Sequence, residues 1–141
     1  MTYEEIRTNF EKDYKIHIDD LVNEPNNSAM RHIKYIDLFL KYKDQLNSLK
    51  IQEKKLRKKL TEYYSGQADP QVYKQKPFGL TLRKPQIPSY VESDEEFMDL
   101  ESEIKQTEKT IDLLERIVER FRWRDKAIQI MLDNEKFLNG R

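Results

Sequence analysis

The amino-acid sequence predicts a mainly α protein: two long antiparallel amphipathic helices joined by a Pro-rich basic loop, with a small helical N-terminal part. Three observations lead there. Apolar residues recur in alternating steps of three and four over residues 35–63 and again over 97–132, the spacing of a helix face. Three glycines and five prolines are too few for the turns of a sandwich or barrel, and four of the prolines fall between residues 65 and 88. Hydrophobic residues fill 37% of the 141 positions, below the roughly 45–50% of average globular chains, so elongated helices or a multi-subunit assembly suit the composition better than a lone globule. The length points to a single domain over 1–141. It divides into an N-terminal segment (1–27), a long basic helix (28–64), a loop (65–88) and a long oligomerising helix (89–141).

Taken in order, Thr2-Tyr3-Glu4-Glu5 is a capping box, and Tyr3, Ile6 and Phe10 share one face of a short helix ending near Asp13. Ile16 and Ile18 alternate with His17 as a short strand or extended piece. Asn23 to Asn27, with Pro25, reads as a breaker. From Ser28 to Tyr64 there is neither Gly nor Pro. Tyr35, Phe39, Tyr42, Leu46, Leu49, Glu53, Leu56, Leu60 and Tyr63 make a heptad seam with one polar intruder, and Ser65-Gly66 ends it. Residues 65–88 read as a loop with a small hairpin near Phe78-Gly79; loops of that length are functional or mobile. Ser93-Asp94-Glu95-Glu96 is read as a second capping box, opening a helix with its seam at Phe97, Leu100, Ile104, Thr107, Ile111, Leu114, Val118, Phe121, Asp125, Ile128 and Leu132. From Ile111 onward the apolar face widens beyond what one neighbouring helix covers. Ile104, Ile111, Leu114, Val118, Phe121, Ile128 and Leu132 are therefore the expected contacts between subunits. Asn139-Gly140 is the expected stop.

Charge is balanced overall, 26 basic against 26 acidic groups, but segregated along the chain. Residues 1–27 are net −4, 41–59 net +6, 91–119 net −8 and 120–141 net +3. Such blocks fit contacts to a polyanion and to a like subunit, as well as pairing between the helices themselves. Several function classes drop out. With no Cys, there is no disulfide, thiol nucleophile, iron–sulfur cluster or Cys-type zinc site. No phosphate-binding Gly-rich loop, nucleophile elbow or His-Glu-x-x-His motif occurs, and His17 and His32 lack ligand spacing. Neither a catalyst nor a cofactor is expected. The acidic N-terminus lacks the apolar stretch of a signal peptide and the longest apolar runs are too short for a membrane span, so a soluble cytosolic protein is expected.

The strongest functional signal is Lys54-Lys55-Leu56-Arg57-Lys58-Lys59, five cations around a seam leucine. Single-stranded nucleic acid binds where cations track phosphates and aromatic rings offer faces to bases. Tyr63 lies on the seam and reads as core, whereas Tyr64 lies off it and reads equally as core or as a stacking platform. Lys74, Lys76, Arg83 and Lys84 add charge around Tyr73 and Phe78. Arg122 and Arg124 flank Trp123 in a second basic cluster that suits either phosphate contact or packing between subunits.

With these pieces in view, the chain resembles the UvsY recombination mediators of T-even-type and related phages. The resemblance rests on IHIDDL (16–21), the basic run followed by LTEYYSG (60–66), VYKQKPFG (72–79) and RFRWRDKAIQIMLDNEKFLNG (120–140), in that order and at matching length. It implies a non-enzymatic accessory factor in phage recombination, replication and repair, working in the cytoplasm of the infected bacterial host. It implies binding of single-stranded DNA, contact with the phage single-stranded-DNA-binding protein and loading of a RecA-type recombinase in its place. It further implies a homo-oligomeric ring, six- or seven-fold. The family's Lys-x-Arg signature is matched at its first position by Lys58, while Leu60 stands at the second; Arg57 and Lys59 supply charge beside it. The rival reading is a structural helical scaffold or adaptor without nucleic-acid binding, its basic run a solvated face.

Overall fold

The computed structural model describes residues 1–140, most of them in five helices: α1 (Tyr3–Asp13), α2 (Glu24–Tyr64), α3 (Pro70–Gln75), α4 (Ile87–Glu92) and α5 (Glu95–Leu138). Short 3-10 turns cover Ile18–Asp20 and Lys84–Gln86, and no strand occurs among the described residues. No helix there is long and apolar enough to cross a membrane.

The helix ends follow local chemistry. At α1, the Thr2 hydroxyl accepts from the Glu5 amide at 3.2 Å while Glu5 accepts from the Thr2 amide at 2.8 Å, the reciprocal capping box. α2 opens at Glu24, four residues before the expected start, with Pro25 in its first turn, where a missing N–H costs nothing. The expected breaker is thus the helix's own beginning. Gly66, at φ +79°, follows its end. At Ile16–Ile18 no strand forms, but His17 is extended at φ −89°, ψ 98°, with the 3-10 turn beginning at Ile18; the expected hairpin near Phe78-Gly79 does not form. Instead α3 starts on Asp69, whose side chain accepts from the Gln71 amide at 3.0 Å, with Pro70 as first residue. Ser93 closes α4, and the cap of α5 is Asp94, accepting from the Glu96 amide at 3.0 Å. α5 stops before Gly140, at φ +68°.

The chain forms two units, Met1–Lys43 with the stretch from Lys109 onward, and Asp44–Glu108. In the first, Ile6 of α1 joins Tyr35, Leu114, Ile117 and Phe121 in one buried cluster. Tyr35 stacks on Phe121 at 5.4 Å and Ser28 bonds Asp125, so α2 and α5 run antiparallel there. In the second, Leu56 and Leu60 pack with Val91 and Phe97. Tyr64 reaches Asp94 and Arg57 reaches Phe97, again antiparallel. Every residue of the expected α2 seam is buried or half-buried, Glu53 included; its carboxylate sits 4.0 Å from Arg57.

One expectation changes. Leu114, Phe121 and Ile128 are fully buried within the chain, Ile104 and Ile111 nearly so, and Val118 and Leu132 half-buried. The wide apolar face read as a subunit interface is mostly buried within the protomer itself, with Ile6 and Phe10 of α1 packed in the cluster of Leu114 and Phe121.

Candidate nucleic-acid interface

The basic run lies in the second unit. With Leu49, Leu56, Leu60 and Tyr63 turned inward, 100° per residue places Lys54 and Lys58 on the far side of α2 and Lys55, Arg57 and Lys59 on its flanks. All five are exposed, but their surroundings differ. Arg57 lies 4.0 Å from the Glu53 carboxylate and 4.8 Å from the Phe97 ring, partly engaged by its own fold. Lys55 and Lys59 line one cleft with Glu96, Asp99 and Glu103 of α5. Lys54 and Lys58 make no ion pair among the described residues.

Beyond Tyr64 the chain folds back on an aromatic cluster. Tyr63 stacks on Tyr73 at 5.3 Å, its hydroxyl donates to the Lys76 carbonyl at 2.9 Å, and the Tyr73 hydroxyl donates to the Tyr63 carbonyl at 2.6 Å. Phe78 and Tyr90 pack on Tyr64 at 5.1 and 5.7 Å. Tyr64, read equally as core or as a stacking platform, is half-buried and donates to the Asp94 carboxylate at 2.6 Å. Burial first, then this hydrogen bond and the Asp94 charge, push its hydroxyl well above the usual tyrosine range. Asp94 also lies 3.9 Å from Lys76, so one buried carboxylate ties the end of α2, the linker and the start of α5. Lys74, Lys76, Arg83 and Lys84 are exposed, and Lys76 lies 5.5 Å over the Tyr63 ring. The stretch read as a loop is therefore held by side chains, with short helices the sequence reading missed.

The first unit separates the two arginines beside Trp123. Arg122 is exposed. Arg124 is 1% exposed and belongs to the core: it donates to the Tyr14 and Lys15 carbonyls at 2.8 and 2.7 Å and to Glu24 at 2.6 Å. Buried in this way it is out of a phosphate's reach, which corrects its place among the expected DNA contacts. The signal was present, since 121, 124 and 128 are spaced three and four apart; the sequence reading put Asp125 on the seam instead. Trp123, by contrast, is 59% exposed, and Ile130 and Phe137 follow at intervals of seven, 68% and 80% exposed. That outer row shares α5 with the buried one. Asp13, beside Lys34 and Tyr35, is raised by burial but lowered more by their hydrogen bonds and by the charges of Lys34 and Arg31, ending below the usual carboxylate range. No group of three or more His, Asp or Glu that could hold a metal occurs among the described residues.

No curated protein matches the chain. Three crystal structures of the bacteriophage T4 recombination mediator protein UvsY share its fold. The first has a TM-score of 0.83 at 20% identity, covering 99% of this chain and 98% of the T4 chain. A second lattice form gives 0.81 at 18%, covering 97% and 98%, and a third 0.81 at 19%, covering 94% and 98%. The family model described as "Recombination, repair and ssDNA binding protein UvsY" matches residues 9–141. The chain belongs to the UvsY family.

Proposed function

We propose that this chain is a phage recombination mediator that binds single-stranded DNA and helps a RecA-type recombinase replace the single-stranded-DNA-binding protein. The family match supports the class. The observation that carries the DNA-binding part is the exposed lysine face of α2, followed in the chain by an aromatic cluster on which Lys76 lies 5.5 Å from the Tyr63 ring. No step of bond making is involved; the work is binding and exchange.

The protein acts in this reading as a homo-oligomeric ring, six- or seven-fold, in which each weak basic face is multiplied. The seam between copies is the outer row of α5, Trp123, Ala127, Ile130, Asn134 and Phe137, whose steps of four and three are those of a coiled coil with one polar register-setting position. This replaces the inner residues expected from sequence.

The test is anisotropy of a labelled oligonucleotide titrated with protein over a range of salt. Binding with log affinity falling linearly in log salt supports the proposal; the absence of binding leaves the scaffold reading in its place. Light scattering on Ile130→Asp reads the assembly, which dissociates if the outer row is the seam.

A further inference from the structure

The two flanks of α2 in the second unit are chemically unlike. Lys50, Lys54 and Lys58 follow one another at intervals of four, about 6 Å of helix rise apart, and all are exposed. None makes an ion pair among the described residues. About four turns beyond Lys50, on the same side as that lysine, stands Tyr64, and on its ring lies Tyr90 of α4, 5.7 Å away and 37% exposed. Arg83 and Lys84 precede α4 in the adjoining turn. The other flank carries Lys55 and Lys59, which share a cleft with Glu96, Asp99 and Glu103. A phosphate entering that cleft meets three carboxylates along with two ammonium groups. At an effective dielectric of about 20, a like charge at 4 Å costs about as much as an opposite one gains. The row at 50, 54 and 58 presents three lysines with no ion pair among the described residues, and its next position is Glu62.

We propose that a single strand follows the outer row of α2, with Lys50, Lys54 and Lys58 on successive phosphates and a base on Tyr90, while Lys55 and Lys59 stay in the cleft they share with the carboxylates of α5. The inference rests on the DNA-binding reading above and adds two residues to it, Lys50 and Tyr90. It also explains how Tyr64 serves without stacking itself: bonded to Asp94, it holds Tyr90 and Phe78 in place, a positioning role. Tyr90 is suited to the platform because its ring is partly open to solvent on a base of other rings, so little freedom is lost when a nucleobase settles on it.

Salt-titrated binding of labelled oligo-dT to the full chain tests this, with thermal melting to confirm each variant folds. Lys50→Ala is expected to weaken binding and reduce the salt slope by about 0.7 for each subunit that engages the strand, the share of a single phosphate. Tyr90→Ala is expected to weaken it roughly 5- to 150-fold at unchanged slope. Tyr90→Phe, which keeps the ring, is expected to bind as the parent does. The Lys55→Ala/Lys59→Ala pair is expected to leave the slope where it was. A flattened slope in that pair with none in Lys50→Ala overturns the path, and equal flattening in both overturns the polarity of the helix. Tyr90→Phe binding as weakly as Tyr90→Ala overturns the stacking role. If the parent protein itself does not bind, the DNA-binding reading fails, a result distinct from all of these.

Discussion

Two basic clusters look alike in the sequence and end differently in the fold. Lys54–Lys59 and Arg120–Lys126 are both dense in cations, both interrupted by a large apolar residue, and both sit on long helices. In the first, the apolar residue is buried and the cations stay in water; Leu56 is core, and Lys54 and Lys58 are exposed. In the second, Phe121 is core, but at the next pair the order is inverted. Trp123 is exposed and Arg124 is buried, its guanidinium bonded to Glu24 and two carbonyls. Charge density alone does not say which cations are available to a ligand. Position relative to the inward face does, and a one-residue error in that face exchanges a surface arginine for a core one.

The largest effect that would sharpen this contrast is expected at Arg124. Arg124→Ala leaves Glu24 buried and unpaired, which costs about 3–5 kcal/mol. Chemical denaturation should show that loss, and a change under about 1 kcal/mol would break the contrast. Next, Lys54→Ala/Lys58→Ala should leave the denaturation midpoint in place and flatten the salt slope of strand binding by about 1.4 for each subunit that engages the strand, two phosphates at about 0.7 each. An unchanged slope would mean that the exposed cluster is only a solvated face. Tyr64→Phe comes third. Removing a hydroxyl that donates to a buried carboxylate should cost about 1–3 kcal/mol of stability. Its slope should match that of the parent, since the hydroxyl faces Asp94 and carries no charge that a phosphate could meet.

The smallest effects are in pH. Asp13 is lowered, so the stability it contributes is complete above the ordinary carboxylate range and lost as pH falls through its folded value, below about 4. Tyr35 and Tyr64 are raised, burial first and then their carboxylate partners, so their contribution is complete below about 10 and lost as pH rises beyond the tyrosine range. Urea titrations across pH should show a plateau between these limits. In Tyr64→Phe the alkaline shoulder should shrink, and a full shoulder in that variant would place its origin elsewhere.

Much of this was legible without the fold. The heptad seam of α2, the capping box at Thr2–Glu5, the stop at Gly66 and the exposed basic run depend on residue spacing and local hydrogen bonding, which a sequence carries directly. Residues 65–93 were less legible. Their two short helices are stabilised by Tyr63, Tyr64, Tyr73 and Phe78 meeting from distant positions and by Asp94 binding a tyrosine thirty residues away. Six-residue helices have no periodicity to detect and little stability of their own.

The amino-acid sequence by itself determined the class of this protein: two long helices, their apolar faces, the absence of thiol chemistry and the position of the cationic run. Each of these follows from composition or from a period of 3.6 residues. Only the tertiary structure decided which charged and aromatic side chains are available. It took α1 to pack Ile6 with Leu114 and Phe121, Glu24 to draw Arg124 inside, and the acids of α5 to face Lys55 and Lys59. The physical reason is that burial and charge compensation are properties of pairs far apart in the chain. Arg124 and Glu24 are separated by 100 residues and meet at 2.6 Å, and no local pattern contains that meeting.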